Sequence, residues 1–379
     1  MPSAATPGSV PEPGRRVYLD SASGEPLHPA AHQAFVAALE AAYADPRRLH
    51  HSGRAARLVL DNARAATAEA LGVRPDELTF TSSGTEAVRR GLLGLRLGAA
   101  RRGSRIVHTA VEHSAVLQAA TWSGATTRAV AVDATGRVRL DDLDLTDAAV
   151  VACQSANHEV GTVQPVAEVA ARLGDVPLFV DACASAGRLP LPDGWSALAA
   201  SAHKWGGPAG VGVLVVRRGA RWREPFPDDE RAGEHESGFE NVPAFLGAAA
   251  ALQAVVAERE EENARMNALV GWIRRVVGTM PDVEVVGDPV DRLPHLVTFS
   301  CLYVDGEALV TELDRLGFEV ASGSACTASS LQPSHVLAAM GALTHGNVRV
   351  SVGRDTTEDD VERFLQVLPG TVERLRARV

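Results

Sequence analysis

Apolar residues recur along this chain in two alternating rhythms, one three and four residues apart, the other in short continuous runs. Between Pro29 and Tyr43 the first rhythm sets Ala34, Phe35, Ala38, Leu39 and Ala42 on one side, which predicts a helix. Asp45-Pro46 stops it. His50, His51, Ser52 and Gly53 open a second helix to about Leu71, closed by a turn at Gly72, Pro75 and Asp76. Short runs then read as strands near 77–82, 105–109, 128–132, 149–153, 176–180 and 211–217. Helices open between them at Glu86, near 116–122 and near 166–173. Strands alternating with helices of this length predict an α/β fold, with a mostly parallel sheet covered on both faces.

Beyond that unit the rhythm changes. An irregular acidic stretch, 225–241, precedes one long helix from about Pro243 towards Met280, whose charged middle AEREEENARMNAL reads as a solvated face. Shorter elements follow, strands near 283–286, 295–300 and 319–322 and helices near 306–316, 333–340 and 357–367, which predict a smaller α+β domain. The expected division is a disordered lead over 1–16, a large domain over 17–258 and a small C-terminal domain over 259–379. No internal repeat is present.

Composition narrows the function classes. The chain has 379 residues, nearly half of them hydrophobic and few aromatic, as an ordinary soluble α/β protein would. Its formal charge of −10 argues against nucleic acid or an anionic membrane as partner. No apolar run reaches the roughly 18 residues a membrane span needs. The N-terminal lead, rich in Pro, Ala, Ser and Gly, has no apolar core of a signal peptide. Four widely spaced cysteines form no CxxC pair and no zinc spacing, so a reducing cytoplasm is expected.

Candidate chemistry gathers after the strands, where parallel sheets bind ligands. The run 176–180 stops at Asp181, and some twenty residues on a small-residue segment ends in Ser201, Ala202, His203 and Lys204. An isolated lysine is usually a solvated loop residue. An acid at a strand end with a lysine on a tight turn suits pyridoxal phosphate, which needs an amine for its aldehyde and a carboxylate for its ring nitrogen. Ser83-Gly84-Thr85 lies between a strand and a helix N-terminus, a geometry that presents N–H groups and a hydroxyl to phosphate, although many helices start so without a ligand. His113 either stacks on a flat ring or is a satisfied strand-end histidine. Cys326 sits in ASGSACTASS, with no large apolar neighbour to bury it, as a reactive thiol on a polar loop would. Arg349, on the strand NVRVSVGR, is either structural or a fork for a substrate carboxylate.

The segments SGSACTASSLQPSHVLAAMG, SAHKWGGPAGVGVL, FTSSGTEAV and NHEVGTVQP resemble the cysteine desulfurases of pyridoxal phosphate fold type I, in the class V aminotransferase group. The resemblance runs from Tyr18 to about Leu375, and the cysteine loop is similar to that of the NifS and IscS branch. It implies that Lys204 bonds the cofactor aldehyde, Asp181 pairs with the pyridine nitrogen and His113 stacks on the ring. Gly84, Thr85, Ser201 and His203 would hold the phosphate, and Arg349 would bind the substrate carboxylate. Cys326 would take sulfur from L-cysteine as a persulfide, releasing L-alanine, in a homodimer that passes the sulfur to an acceptor protein the sequence does not identify.

Four departures stand beside that resemblance. His158 occupies a position where the family usually has an asparagine on the cofactor's phenolic oxygen, while Asn157 matches the neighbouring asparagine, near the substrate. Ala184 stands in place of a glutamine. Glu236, Ser237, Gly238 and Phe239 replace an RSGT segment whose threonine reaches the partner's phosphate. The IscS-type tail does not follow Val379, so scaffold docking is not expected to take the IscS form. Two alternatives keep the cofactor, a C–S lyase on a larger cysteine conjugate and a selenocysteine lyase. A third keeps only the fold, as a non-catalytic sulfur-relay or binding protein.

Overall fold

A computed structural model describes residues 15–227, 238–322 and 333–378. Cys326, Glu236 and Ser237 lie outside the described residues. The first described residues form β1 (Val17–Tyr18), followed by helices α1 (Pro29–Ala41) and α2 (His51–Leu71). Each helix start is held by a histidine: Nδ1 of His28 accepts from the N–H of Ala30, and Nδ1 of His50 from Gly53. Gly72 closes α2 in the left-handed region at φ 67°. Leu39, placed by periodicity with the apolar side of α1, is instead exposed, and Ala31, Ala38 and Ala42 are buried. The small side chains let α1 approach its neighbours closely and turn the larger one outward.

The large unit continues as β2 (Leu78–Thr81), α3 (Gly84–Gly98), β3 (Arg105–Thr109), α4 (Ser114–Trp122), β4 (Thr127–Val130), β5 (Ala148–Ala152), α5 (Val166–Arg172), β6 (Leu178–Asp181), β7 (Ala197–Ser201) and β8 (Gly212–Val216). Its seven-stranded sheet has the order β2-β8-β7-β6-β5-β3-β4, with β8 antiparallel to both neighbours and the pairs from β7 to β4 parallel. Alternate residues face opposite sides. Ile106, Val150, Phe179 and Leu214 pack under α3 and α4. Val107, Val151, Val180 and Val213 pack in the core that takes α1, α2 and α5. Strand β7 was legible only as a small-residue segment. Its sequence ALAAS lacks branched residues, and burial between β6 and β8 makes it a strand.

Helix α6 (Val242–Val277) joins two cores. Its residues from Val242 to Leu252 belong to the first, and Met266, Leu269, Val270, Ile273 and Val277 to the second. By length and composition alone it would be long and apolar enough to cross a membrane. Those apolar residues are spent on two protein cores instead. The second core adds β9 (Val283–Val286), β10 (Leu296–Cys301), α7 (Gly306–Arg315), β11 (Phe318–Glu319), α8 (His335–Met340), β12 (Asn347–Ser351) and α9 (Glu358–Arg376). Strands β12, β10 and β9 make an antiparallel sheet in that order.

We propose the change of unit within α6, at the 258/259 step between these two core segments. The start of the large range needs correction. Val17 and Leu19 lie in the second core, and β1 pairs in parallel with β11, Val17 opposite Phe318. A two-residue strand whose partner lies some three hundred residues away leaves no periodic signal. Arg15 and Arg16, assigned to the disordered lead, form ion pairs with Asp360 at 2.6 Å and Glu319 at 2.6 Å. Helix α9 also runs past its expected end, through Pro369, because Leu368, Val372 and Leu375 are buried beyond it.

Candidate active site

The carboxyl ends of the parallel strands converge on one cavity of about 300 Å³, at the small end of ordinary ligand pockets. All the described candidates except Asn157 line it: Gly84, Thr85, His113, His158, Asp181, Ser201, His203, Lys204 and Arg349. Asp181 is the last residue of β6 and Ser201 the last of β7. A single 3-10 turn over Ala202–Lys204 then brings the histidine and lysine back over the sheet edge.

At one end, α3 starts against β7. A Cβ on Gly84 would lie 2.6 Å from Ser201 Cβ, so only glycine lets the helix start approach this closely. Ser83 is committed to capping, accepting from Glu86 N–H at 3.1 Å. The first N–H groups of a helix have no intrahelical acceptor, and they carry the positive end of its dipole. Ser201 Oγ and His203 Nδ1 lie 3.0 Å apart beside them. Burial, with the charge of Lys204, lowers His203 to about 4, so its imidazole is neutral near pH 7. Glycine contact, N–H groups, hydroxyl and neutral imidazole fit a phosphate.

The middle of the cavity fits a flat ring with a polar nitrogen. Asp181 is buried, and its Oδ1 accepts from Cys183 N–H at 2.9 Å. His113 begins α4 and accepts the Ala115 N–H on Nδ1, which places the proton of the neutral ring on Nε2. Burial lowers the His113 pKa, Asp181 opposes this, and Lys204 and His335 add to it. His158 stands edge-on to His113, ring centroids 4.8 Å apart, and burial drives its pKa well below the usual value. Lys204 Nζ donates to Ala22 O at 2.5 Å and Ser23 O at 2.9 Å.

Arg349 closes the opposite wall. It donates to His158 O at 2.9 Å, Asp20 Oδ1 at 2.8 Å and Ser23 Oγ at 2.6 Å. Its Nε is buried without a hydrogen-bond partner, a donor in want of an acceptor. Asn157 stands apart from the cavity. Its Oδ1 accepts from Glu159 and Val160 N–H, and its Nδ2 donates to Val111 O, so the carboxamide shapes the loop that presents His158.

Sequence reasoning passed over several neighbours. Ser23 and Asp20 orient Arg349, and the turn that follows Tyr18-Leu19-Asp20 was their only signal. Cys183 and Gln154 line the cavity without having been singled out. Glu112 is fully buried behind His113. Its Oε1 accepts from Thr109 Oγ1 at 2.7 Å and Gln154 N–H at 2.8 Å, while Oε2 has no partner. Burial, with the negative charge of Asp181, raises it from 4.5 to about 8.

That shift has a stability consequence. Between pH 4.5 and about 8 the folded chain keeps a proton on Glu112 that the unfolded chain releases. The contribution of this group is therefore fully present below pH 4.5 and is lost as pH rises through about 8. Glutamine mimics the protonated acid. Glu112→Gln is expected to be more stable than the parent at about pH 8, on the order of a few kcal/mol, and close to it at about pH 5. Thermal melts at both pH values check it.

Comparisons with known proteins cover nearly the whole chain. The family model for aminotransferase class-V matches residues 17–364. The chain is 39% identical to an IscS-like cysteine desulfurase of Mycobacterium tuberculosis, over 95% of this chain and 97% of that one. It is 35% identical to the cysteine desulfurase IscS of Dictyoglomus turgidum, over 96% of each. Among solved structures, a NifS-like protein superposes with a TM-score of 0.86 at 28% identity, covering 95% of this chain and 100% of that one.

Proposed function

Because the chain belongs to the aminotransferase class-V family and is a pyridoxal phosphate-dependent cysteine desulfurase, we propose a division of labour among its own residues. The observation that carries this reading is the convergence of Asp181, His113, Lys204 and Arg349 on one cavity, with the Gly84 cradle at its end. Lys204 would bond the cofactor aldehyde, Asp181 its ring nitrogen, and His113 its face. Gly84, Thr85, Ser201 and His203 would hold the phosphate, and His158 would take the side of the phenolic oxygen. When bound, the cofactor supplies a sink for the electron pair left at the substrate's Cα.

Arg349 holds the carboxylate of L-cysteine with its unpartnered Nε and one Nη, which presents Cα to Lys204. Lys204 moves the proton at Cα. A thiolate at Cys326 then attacks the substrate sulfur. The S–S bond forms as the C–S bond breaks, the electron pair goes to the substrate's Cβ, and that carbon takes a proton. L-cysteine and one protein thiol thus become L-alanine and a protein persulfide, with no external oxidant. An acceptor protein consumes the persulfide, a role that fits a reducing cytoplasm.

We further propose a homodimer. Val36 and Leu39 are exposed one turn apart on α1, Tyr43 is exposed just beyond its end, and Leu58 is exposed on α2, an unusual apolar content for a solvated surface. Phe239 is also exposed. Light scattering reporting a single-chain mass would count against it.

Incubation with L-cysteine, followed by measurement of alanine, tests the reading, and no alanine from cofactor-loaded protein would end it. Arg349→Lys keeps the charge and loses the fork. The expected result is a KM for L-cysteine raised about 10- to 100-fold with a smaller change in kcat, because charge-assisted hydrogen bonds to the substrate are lost in ground and transition state alike. Steady-state kinetics of the purified variant check this.

A further inference from the structure

Behind Lys204 lies a second cavity of about 10 Å³, with His158, Ala184, Lys204 and His295 among its walls. A space of that size accommodates one water and nothing larger. Ala184 follows β6 by three residues, and its methyl group is what leaves the space; a longer side chain there would fill it.

Three walls carry unsatisfied polar atoms, Ser21 Oγ and one nitrogen on each of two histidines. Nδ1 of His158 and Nδ1 of His295 are buried, and neither has a hydrogen-bond partner in the protein. His295, just before β10, is 3% exposed. Buried polar atoms without protein partners are met by ordered water in most folded proteins, and such a water makes about three hydrogen bonds.

Both rings are neutral. Burial drives each pKa well below the usual value, His158 with added repulsion from His113, Arg349 and Lys204, and His295 from Arg188, Arg349, Lys204 and Arg292. A neutral imidazole offers one donor and one acceptor, so each ring can meet a water in either tautomer.

We infer that this cavity is a built site for a single water molecule, bridging His158 and His295 beside Lys204. The water stands in for the side chain that Ala184 does not supply, and it fixes the ring of His158 edge-on to His113. His158 is then a positioning partner of His113, set by a solvent molecule and not by a carboxamide.

A crystal structure of the cofactor-loaded protein, at a resolution that shows ordered water, tests this directly. The expected result is one density peak within about 2.7–3.2 Å of an imidazole nitrogen of both histidines. Absence of a peak, or closure of the two rings onto each other, overturns the inference. Two variants add a second readout. Ala184→Val fills the space with carbon, so the peak should vanish and the melting temperature fall by about 2–4 °C. Ala184→Ser returns a hydroxyl and should melt near the parent. A dry cavity would give the opposite order, with the valine variant at least as stable as the parent. Both readouts are independent of the roles given to Lys204 and Cys326, so their failure leaves the desulfurase reading in place.

Discussion

Lys204→Ala is expected to lose turnover of L-cysteine by at least about 10²–10⁴-fold, the range a positioned proton-transfer group contributes, while still binding the cofactor non-covalently. The lysine is assigned two duties that no neighbour duplicates. His113 and His158 are held neutral by burial, and His203, assigned to the phosphate, is lowered to about 4. Asp181 is assigned to the ring nitrogen. Lys204 is the amine of the cavity, held at its mouth by the carbonyls of Ala22 and Ser23. Removing it leaves the residues assigned to the phosphate and the ring in place, so the variant should take up cofactor and release it on dialysis. Borohydride treatment should then label the parent at Lys204 and leave the variant unlabelled. Turnover within tenfold of the parent would mean that the lysine is misassigned.

Cys326→Ala should have an effect of similar size for a different reason. The other three cysteines are poor nucleophiles. Burial raises Cys153 and Cys183 well above the ordinary thiol range and Cys301 to about 11, and none of them provides a thiolate near neutral pH. Without Cys326 no acceptor remains for the sulfur, and alanine formation should fall to background, about 10²-fold or more. Cofactor uptake should persist, because the residues assigned to hold it lie on other segments. Undiminished breakdown of L-cysteine in this variant would favour the C–S lyase reading, which needs no acceptor thiol. Purified protein that takes up no cofactor would instead favour the non-catalytic reading.

The sheet and its ligand edge were legible because apolar runs ended abruptly in polar residues at Asp181, His113 and Ser83. Each of these proved to stand at a strand end or helix start around one cavity. Small residues carried no such signal. Strand β7 is built of Ala and Ser and takes its form from its neighbours, and Leu39 faces outward because alanines fill the inner side of α1. Long-range partners were also invisible. Val17 and Leu19 belong to a core formed by residues near the other end of the chain, and Arg349 is oriented by Asp20 and Ser23.

The cavity adds what one-dimensional reading lacked. Asn157 has the residue type of a ligand contact, yet its carboxamide is consumed by the loop backbone. His158, beside it, faces the cavity instead. Ala184 read as a lost contact. In three dimensions it borders a water-sized space flanked by two unsatisfied imidazoles.

The central claim is that sulfur leaves L-cysteine on Cys326. Mass spectrometry of the protein after treatment with L-cysteine, digested without reductant, measures it most directly. The peptide containing Cys326 should carry one added sulfur that a reductant removes, and the Cys326→Ala protein should carry none. An unmodified Cys326 peptide while alanine accumulates, or the added sulfur on Cys183, would contradict the account.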